Sequence, residues 1–351
     1  MNVLITGGCG FLGSNVAASY LQDGARVTII DRMLKGGAWE NLDWLKGISK
    51  QQSDLEFLQG DVSQIEQIEQ VFAKRGPFDY VCHLAGQVAM TTSLSDPIAD
   101  FRTNALGTIN LLEVTRRSSP KALVAFSSTN KVYGDLNHLE YGENETRYCL
   151  PRFPNGLDES TPLDFASPYG CSKGSADQYV RDWYRNFGLE TVVFRHSSIY
   201  GGRQYATVDQ GWVGWFTLKA IEQRAARDRG GQVDPFTISG TGKQVRDVLH
   251  SEDLISLFRR AFEKRAQCAG EVFNIGGGLA NSMSLIELFE RLSSLLNIPD
   301  GLVYVKLPRR QSDQDFFVAD ITKAKTVLDW SPRVSALEGL LRTTQWVRGA
   351  L

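Results

Sequence analysis

Through the first 196 residues, short apolar runs alternate with stretches whose apolar positions fall at helical spacing. Asn2 to Thr6 is one such run, and it ends in a cluster of glycines. Beyond them Phe11, Val16, Tyr20 and Leu21 repeat at helical intervals, which predicts strand, turn and helix. Arg26 to Ile30 is a second β-branched run and ends at Asp31. Further runs at Glu56 to Gln59, Tyr80 to Leu84, Ala122 to Ser127 and Thr191 to Arg195 predict strands, with helical patterns between them. Such alternation predicts an α/β fold with a Rossmann-type doubly wound parallel sheet, because parallel neighbours need a covered crossover and the right-handed βαβ unit supplies it.

The periodicity fails between Gly134 and Pro168, where Asn, Gly, Pro and Glu accumulate; an irregular excursion is expected there, a lid or an oligomer contact. From about Ser197 the elements shorten. Strands are predicted at Phe236 to Ser239, Glu271 to Ile275 and Leu302 to Lys306, and helices at Glu252 to Arg265 and Leu285 to Leu296. The expected division is a dinucleotide-binding domain over 1–196, carrying an irregular insertion over 134–167, and a smaller, interleaved, mainly substrate-binding domain over 197–351. Elements near 241–270 are expected to return to the first domain.

Composition removes several function classes. With 351 residues and a formal charge of −2, the chain has the make-up of an ordinary globular protein, and its basic residues are interspersed with acidic ones, so no nucleic-acid groove is expected. Five scattered cysteines and four distant histidines lack the close pairing of a metal or redox site, so no metal is expected. The cysteine usage fits a reducing compartment. The chain enters a strand directly after Met1, and no apolar run reaches membrane-spanning length, which together predict a cytoplasmic protein without membrane contact.

Two signatures carry the chemistry. Gly7 suits a tight turn, Gly10 a close approach of backbone to a pyrophosphate, and Gly13 close packing of helix on strand. Asp31, ending the second strand, stands where a carboxylate would bind the ribose hydroxyls of a dinucleotide. It favours NAD, whereas the neighbouring Arg32 would attract a 2′-phosphate; NAD is the expectation. Asp61 and Val62 are placed to flank the adenine, with a helix N-cap at Asp61 or Ser63 as the structural alternative. The second signature is Tyr169-Gly170-Cys171-Ser172-Lys173, which puts Tyr169 and Lys173 on one face of a helix following Pro168. A phenol of pKa about 10 is a poor base at neutral pH, and a nearby ammonium makes it a better one. Ser127 to Gly134 closes the fifth strand at the carboxyl edge of the sheet, where ligands bind in such folds.

With these residues the whole chain resembles the extended short-chain dehydrogenase/reductases that act on nucleotide sugars. Within that family it is most similar to the 2-epimerases of CDP-linked 3,6-dideoxyhexoses, through the runs His83 to Ser93, Ser128 to Gly134 and Gln210 to Phe216. The resemblance implies an isomerase with tightly bound NAD that interconverts CDP-paratose and CDP-tyvelose, in O-antigen biosynthesis, and a homo-oligomeric assembly, dimer or tetramer. It implies that Thr129 hydrogen-bonds the hydroxyl being oxidised, Tyr169 is the base, and Lys173 orients the nicotinamide ribose. It also assigns Phe11, Leu12, Leu84, Ala85, Gly86, Gln87, Asn104, Ser127, Ser128 and His196 to the cofactor. To the substrate it assigns Gln87, Val88, Thr129, Asn130, Lys131, Ser198, Trp212 and Val213, with Arg246 and Arg310 for the diphosphate. Trp212 and Trp215 could equally be core residues. Related dehydratases carry an aspartic acid where this chain has Asn130; an amide has no acidic proton to give a leaving group, so dehydration is not expected. Epimerisation of another nucleotide hexose, at C2 of CDP-glucose or C4 of UDP-glucose, and NADPH-dependent reduction remain open at this point.

Overall fold

The computed structural model describes residues 1–51, 53–310 and 313–350. Five strands, β1 (Asn2–Thr6), β2 (Arg26–Asp31), β3 (Leu55–Gln59), β4 (Tyr80–His83) and β5 (Leu123–Thr129), alternate with helices. The intervening helices are α1 (Phe11–Gln22), α2 (Ala38–Ile48), α3 (Ile65–Arg75), α4 (Met90–Ser95), α5 (Pro97–Phe101) and α6 (Gly107–Ser118). A single π-helical turn, Arg102–Leu106, joins α5 to α6. A two-residue hairpin, β6 (Gly142–Glu143) and β7 (Tyr148–Cys149), interrupts the irregular stretch before α7 (Ser167–Phe187). Then follow β8 (Thr191–His196), β9 (Ser198–Tyr200), α8 (Trp212–Asp228), β10 (Phe236–Ser239), β11 (Val245–His250), α9 (Ser251–Glu263), α10 (Arg265–Cys268) and β12 (Val272–Ile275). The chain ends with β13 (Ser282–Ser284), α11 (Leu285–Leu295), β14 (Tyr304–Leu307), β15 (Phe316–Phe317), α12 (Thr322–Leu328) and α13 (Ala336–Ala350).

Seven parallel strands form the main sheet in the order β12-β8-β5-β4-β1-β2-β3. Strands β1, β4 and β8 are buried at every position, as a sheet covered on both faces requires. One face is packed by α1, α2, α9 and α12 through a cluster including Val16, Leu42, Phe258 and Leu328; the other by α3, α6 and α7 through Val71, Leu111 and Val180. The order reverses between β1 and β4, so the loops leaving these two strands diverge and open a crevice at the carboxyl edge. The strand expected at Glu271 to Ile275 is the seventh member of this sheet, reached only after α8 to α10.

The remaining elements form a smaller layer. β11 pairs parallel with β9 and β15 and antiparallel with β13, and β10 pairs with β14. Around them Phe216, Phe236, Phe289 and Leu340 build a separate apolar cluster. Strand ends differ from the sequence expectation by one or two residues; β14 starts at Tyr304 rather than Leu302, and β5 runs on to Thr129. That extension matters, because Thr129 pairs in register with His196 of β8, bringing both to the sheet's carboxyl edge. No helix among the described residues is long and apolar enough to cross a membrane.

Candidate active site

The glycine turn is built as its spacing requires. Gly7 has φ +69°, and a Cβ there would meet the Ala85 backbone nitrogen at 2.7 Å. A Cβ on Gly13 would lie 2.1 Å from the Gly7 carbonyl oxygen, so only glycine lets α1 start this close to β1. Gly10 is the N-cap of α1 and borders the cavity, and the first-turn N–H groups of a helix have no intrahelical partner. A cavity of about 470 Å³ begins at this turn and runs along the carboxyl edge of the sheet.

Most predicted cofactor residues border that cavity. Phe11, Leu12 and Gly13 form its floor beside Gly7 and Gly10; Asp31, Arg32, Asp61 and Val62 line one end; Leu84, Ala85, Gly86, Ser127, Ser128, Tyr169, Lys173 and His196 line the other. Asp31 uses both oxygens locally, accepting from the Cys9 N–H (3.0 Å) and the Met33 N–H (2.8 Å), which ties the glycine loop to β2. Arg32 forms an ion pair with Asp61 at 3.0 Å. Burial alone would raise the Asp61 pKa, but the Ser63 N–H and the Arg32 guanidinium hold it below the usual carboxylate value. Asp61 is therefore not a helix cap: α3 begins after Gln64, and Asp61 closes a turn onto Ser63 and anchors Arg32 instead. With its guanidinium held by a carboxylate, Arg32 is poorly disposed toward a 2′-phosphate.

At the inner end, Tyr169 and Lys173 leave one face of α7, which starts with Pro168 in its first turn. Burial pushes the Tyr169 phenol up to about 12, against a hydrogen bond from Thr129 that lowers it, and the Asp100 carboxylate raises it further. Burial pulls the Lys173 ammonium down to about 7, partly opposed by Asp177 and Asp100. Its Nζ donates to the Ser127 carbonyl oxygen at 2.5 Å and sits 4.2 Å from the centroid of the Phe126 ring. His196 is buried with no hydrogen-bond partner on either ring nitrogen, and burial lowers it to about 3, so a neutral imidazole faces the cavity. An orphaned buried imidazole, a turn that only glycine can form and a helix N-terminus at a crevice together fit a dinucleotide.

Beneath this floor a buried pair fixes α7 to the sheet. Arg195 donates to both oxygens of Asp177 (2.9 and 2.8 Å) and to the Tyr133 hydroxyl (2.9 Å), while Ser128 donates to Asp177 at 2.8 Å.

The substrate residues divide into two groups. Val88, Thr129, Ser198 and Trp212 border the cavity. The Trp212 indole N–H donates to the Ser198 hydroxyl at 2.9 Å, so the small side chain there is engaged by an aromatic wall; Trp215 packs against the apolar cluster around Phe216 and Phe236 with Lys219 over its ring. Gln87, Asn130, Lys131, Val213, Arg246 and Arg310 stand outside the cavity lining, as does Asn104 of the expected cofactor set. Asn130 Nδ2 donates to Gln314 Oε1 at 2.8 Å, and Gln314 in turn donates to the Gly134 carbonyl. Lys131 and Arg246 converge on Asp313 at 3.5 and 2.8 Å, and burial with the Arg246 charge lowers Lys131 to about 8. Arg310 does not join them. It lies 3.8 Å from Asp209 and donates to Ser239, while Gln311 and Ser312 of its run fall outside the described residues.

Sequence reasoning missed a wall of the cavity. Ile199 of β9 and Arg203, Gln204 and Tyr205 of the loop after it line the cavity, and Asn41 ties that loop to the glycine turn by donating to the carbonyls of Cys9 (3.1 Å) and Arg203 (3.4 Å). The Gly201-Gly202 pair ending β9 was the available signal.

A family profile described as GDP-mannose 4,6 dehydratase matches residues 4–343. A CDP-paratose 2-epimerase of Salmonella typhi is 52% identical over 346 residues, covering 99% of each chain. The crystal structure of a UDP-glucose 4-epimerase from Thermotoga maritima with UDP-glucose is 30% identical, with a TM-score of 0.81 over 100% of this chain and 99% of that one. A dTDP-glucose 4,6-dehydratase from Bacillus anthracis in complex with NAD is 27% identical, with a TM-score of 0.77 over 99% and 97%. The chain therefore belongs to the GDP-mannose 4,6 dehydratase family, one of the extended short-chain dehydrogenase/reductase families.

Proposed function

We propose that this protein is an NAD-dependent epimerase that inverts C2 of a CDP-linked 3,6-dideoxyhexose, interconverting CDP-paratose and CDP-tyvelose. The observation that carries the reading is the convergence of Thr129, Tyr169 and Lys173 on the cavity whose floor is the glycine turn. The relative's identity of 52% over nearly both full chains supports the choice of sugar.

Bound NAD supplies the hydride acceptor and donor at C2. Tyr169 takes the O2 proton, Thr129 holds that oxygen by hydrogen bonding, and Lys173 stabilises the phenolate while orienting the ribose beside it. The 2-keto sugar then presents its other face, and Tyr169 returns the proton. Redox change is zero over the cycle, so the cofactor stays bound and need not exchange. Asn130, clamped to Gln314, can hold a hydroxyl but has no proton to expel one, which disfavours dehydration. The Arg32–Asp61 pair disfavours NADPH-dependent reduction. Lys131 and Arg246 are the groups from which the diphosphate would be bound, by competition with Asp313 for their charge.

A homo-oligomer is part of this reading. Leu94, Ile98 and Phe101 on α4 and α5 are 54%, 61% and 52% exposed, and Tyr179 and Phe187 on the adjoining α7 are also exposed. A light-scattering mass equal to one chain would refute it. For the chemistry, Tyr169→Phe should fold and retain nucleotide while losing nearly all turnover with CDP-paratose; substantial activity in that variant would remove Tyr169 as the base.

A further inference from the structure

We propose that Asp100 is a positioning residue of the proton-transfer centre: its buried carboxylate draws Gln87, Asn104 and Ser172 into one shell around Tyr169 and Lys173 and supplies the negative charge facing that pair. The inference rests on the proposed role of Tyr169 and Lys173 and assigns a charge that role had not used.

Asp100 is 1% exposed and belongs to a five-residue helix, α5, that packs on α7. A buried carboxylate survives only where donors converge on it. Gln87 Nε2 reaches its Oδ1 at 2.8 Å, Asn104 Nδ2 the same oxygen at 3.3 Å, and the Ser172 hydroxyl bonds Oδ2. The three donors come from three segments: the loop after β4, the π-helical turn and α7. Asn104 locks the same loop a second time, accepting from the Gln87 N–H (2.9 Å) and donating to its carbonyl (3.0 Å).

The π turn is what aims Asn104 inward, since its extra residue rotates the helix face locally. That turn is pinned from the sheet: Thr108 donates to the Asn104 carbonyl at 2.5 Å, and His83 bridges Thr108 (2.9 Å) and Thr6 (2.7 Å). Because Thr108 spends its proton on Asn104, His83 carries its own on Nε2. A methyl group on Gly86 would lie 3.1 Å from Asn104 Oδ1 and 3.8 Å from Lys173 Nζ, so Gly86 is flanked by both the shell and the ammonium. Ser172 lies between Tyr169 and Lys173 in sequence and donates to Asp100, which makes one carboxylate the common anchor of the reacting helix.

The charged and titratable groups around this anchor are Tyr169, Lys173 and Asp177 on α7, neutral His83 on β4, neutral His196 on β8, and Asp96 and Arg102 flanking α5. Asp100 raises the pKa of both Tyr169 and Lys173. Removing its charge should therefore lower both, and a rate that requires phenolate with ammonium should move to lower pH on both limbs.

The test is Asp100→Asn, which keeps size and most donors but removes the charge. With KM and bound NAD at the parent's values, both limbs of the kcat–pH profile should be displaced to lower pH. A profile of unchanged position, whether or not uniformly reduced, would overturn the proposal. A substrate-free readout separates its failure from failure of the epimerase reading: the near-ultraviolet phenolate titration of Tyr169, taken as parent minus Tyr169→Phe, should shift to lower pH in the Asp100→Asn background. No shift would overturn the proposal even if CDP-paratose proved not to be the substrate. Should Asp100→Asn fail to fold, Ser172→Ala removes one donor and keeps the charge. It should lower kcat several-fold at unchanged KM, and a kcat within twofold of the parent would count against the anchor.

Discussion

Replacing Arg195 by methionine should be among the most damaging single changes away from the cavity. The Arg195 and Asp177 side chains are only 3% and 1% exposed, and the pair carries three of the bonds that hold β8, α7 and Tyr133 together. Arg195→Met fills the space but strands the Asp177 charge, with only the Ser128 hydroxyl and the Gln178 amide, among the described residues, still donating to it, each at 2.8 Å. Breaking a buried ion pair from one side costs about 3–5 kcal/mol, and the two surviving donors put this case near the lower end. Arg195→Met with Asp177→Leu removes both charges; it should recover most of that loss, leaving about 1 kcal/mol for the unpartnered Ser128 hydroxyl. Urea unfolding at neutral pH, followed by tryptophan fluorescence, gives the difference from the midpoint if the slope is unchanged. A single variant within about 1 kcal/mol of the parent, or a double variant less stable than the single, would refute the reasoning.

Three further outcomes follow from the same electrostatics. Burial sets Lys173 near 7 in the folded chain against an ordinary 10.5, so its ammonium destabilises the cofactor-free fold at all pH values below the ordinary one; Lys173→Met should raise the melting temperature of that form while abolishing turnover, and a lowered melting temperature would contradict it. Asp61→Ala releases Arg32 and should improve binding of NADPH relative to NADH in a fluorescence titration, whereas an unchanged ratio would show that the ion pair does not set cofactor choice. Burial raises Asp247 from 3.8 to about 6, so the folded state binds the extra proton and stability from this group is lost as pH rises through that window; the stability advantage of the parent over Asp247→Asn should shrink between those pH values, and a constant difference would refute it.

The parts legible in the sequence were those where local geometry forces residue type. Gly7 and Gly13 announce themselves because no Cβ fits there, and Tyr169 with Lys173 because helical periodicity alone puts them on one face. The rest depends on contacts between distant segments. Asp100 reads as an ordinary helix residue until Gln87, Asn104 and Ser172 close on it, and Arg32 reads as a candidate phosphate ligand until Asp61, on another strand end, takes its charge. The Lys131, Arg246 and Asp313 cluster joins three segments that no periodicity relates. The π turn has no sequence mark at all, since its residues fit an α-helix equally well.

Proton NMR of CDP-paratose incubated with the purified protein in D2O, without added cofactor, tests the central claim most directly. The account predicts CDP-tyvelose with protium retained at C2, because the hydride leaves and returns within one active site. Deuterium at C2 would mean deprotonation of carbon rather than oxidation, and would contradict the mechanism; absence of conversion would contradict the substrate.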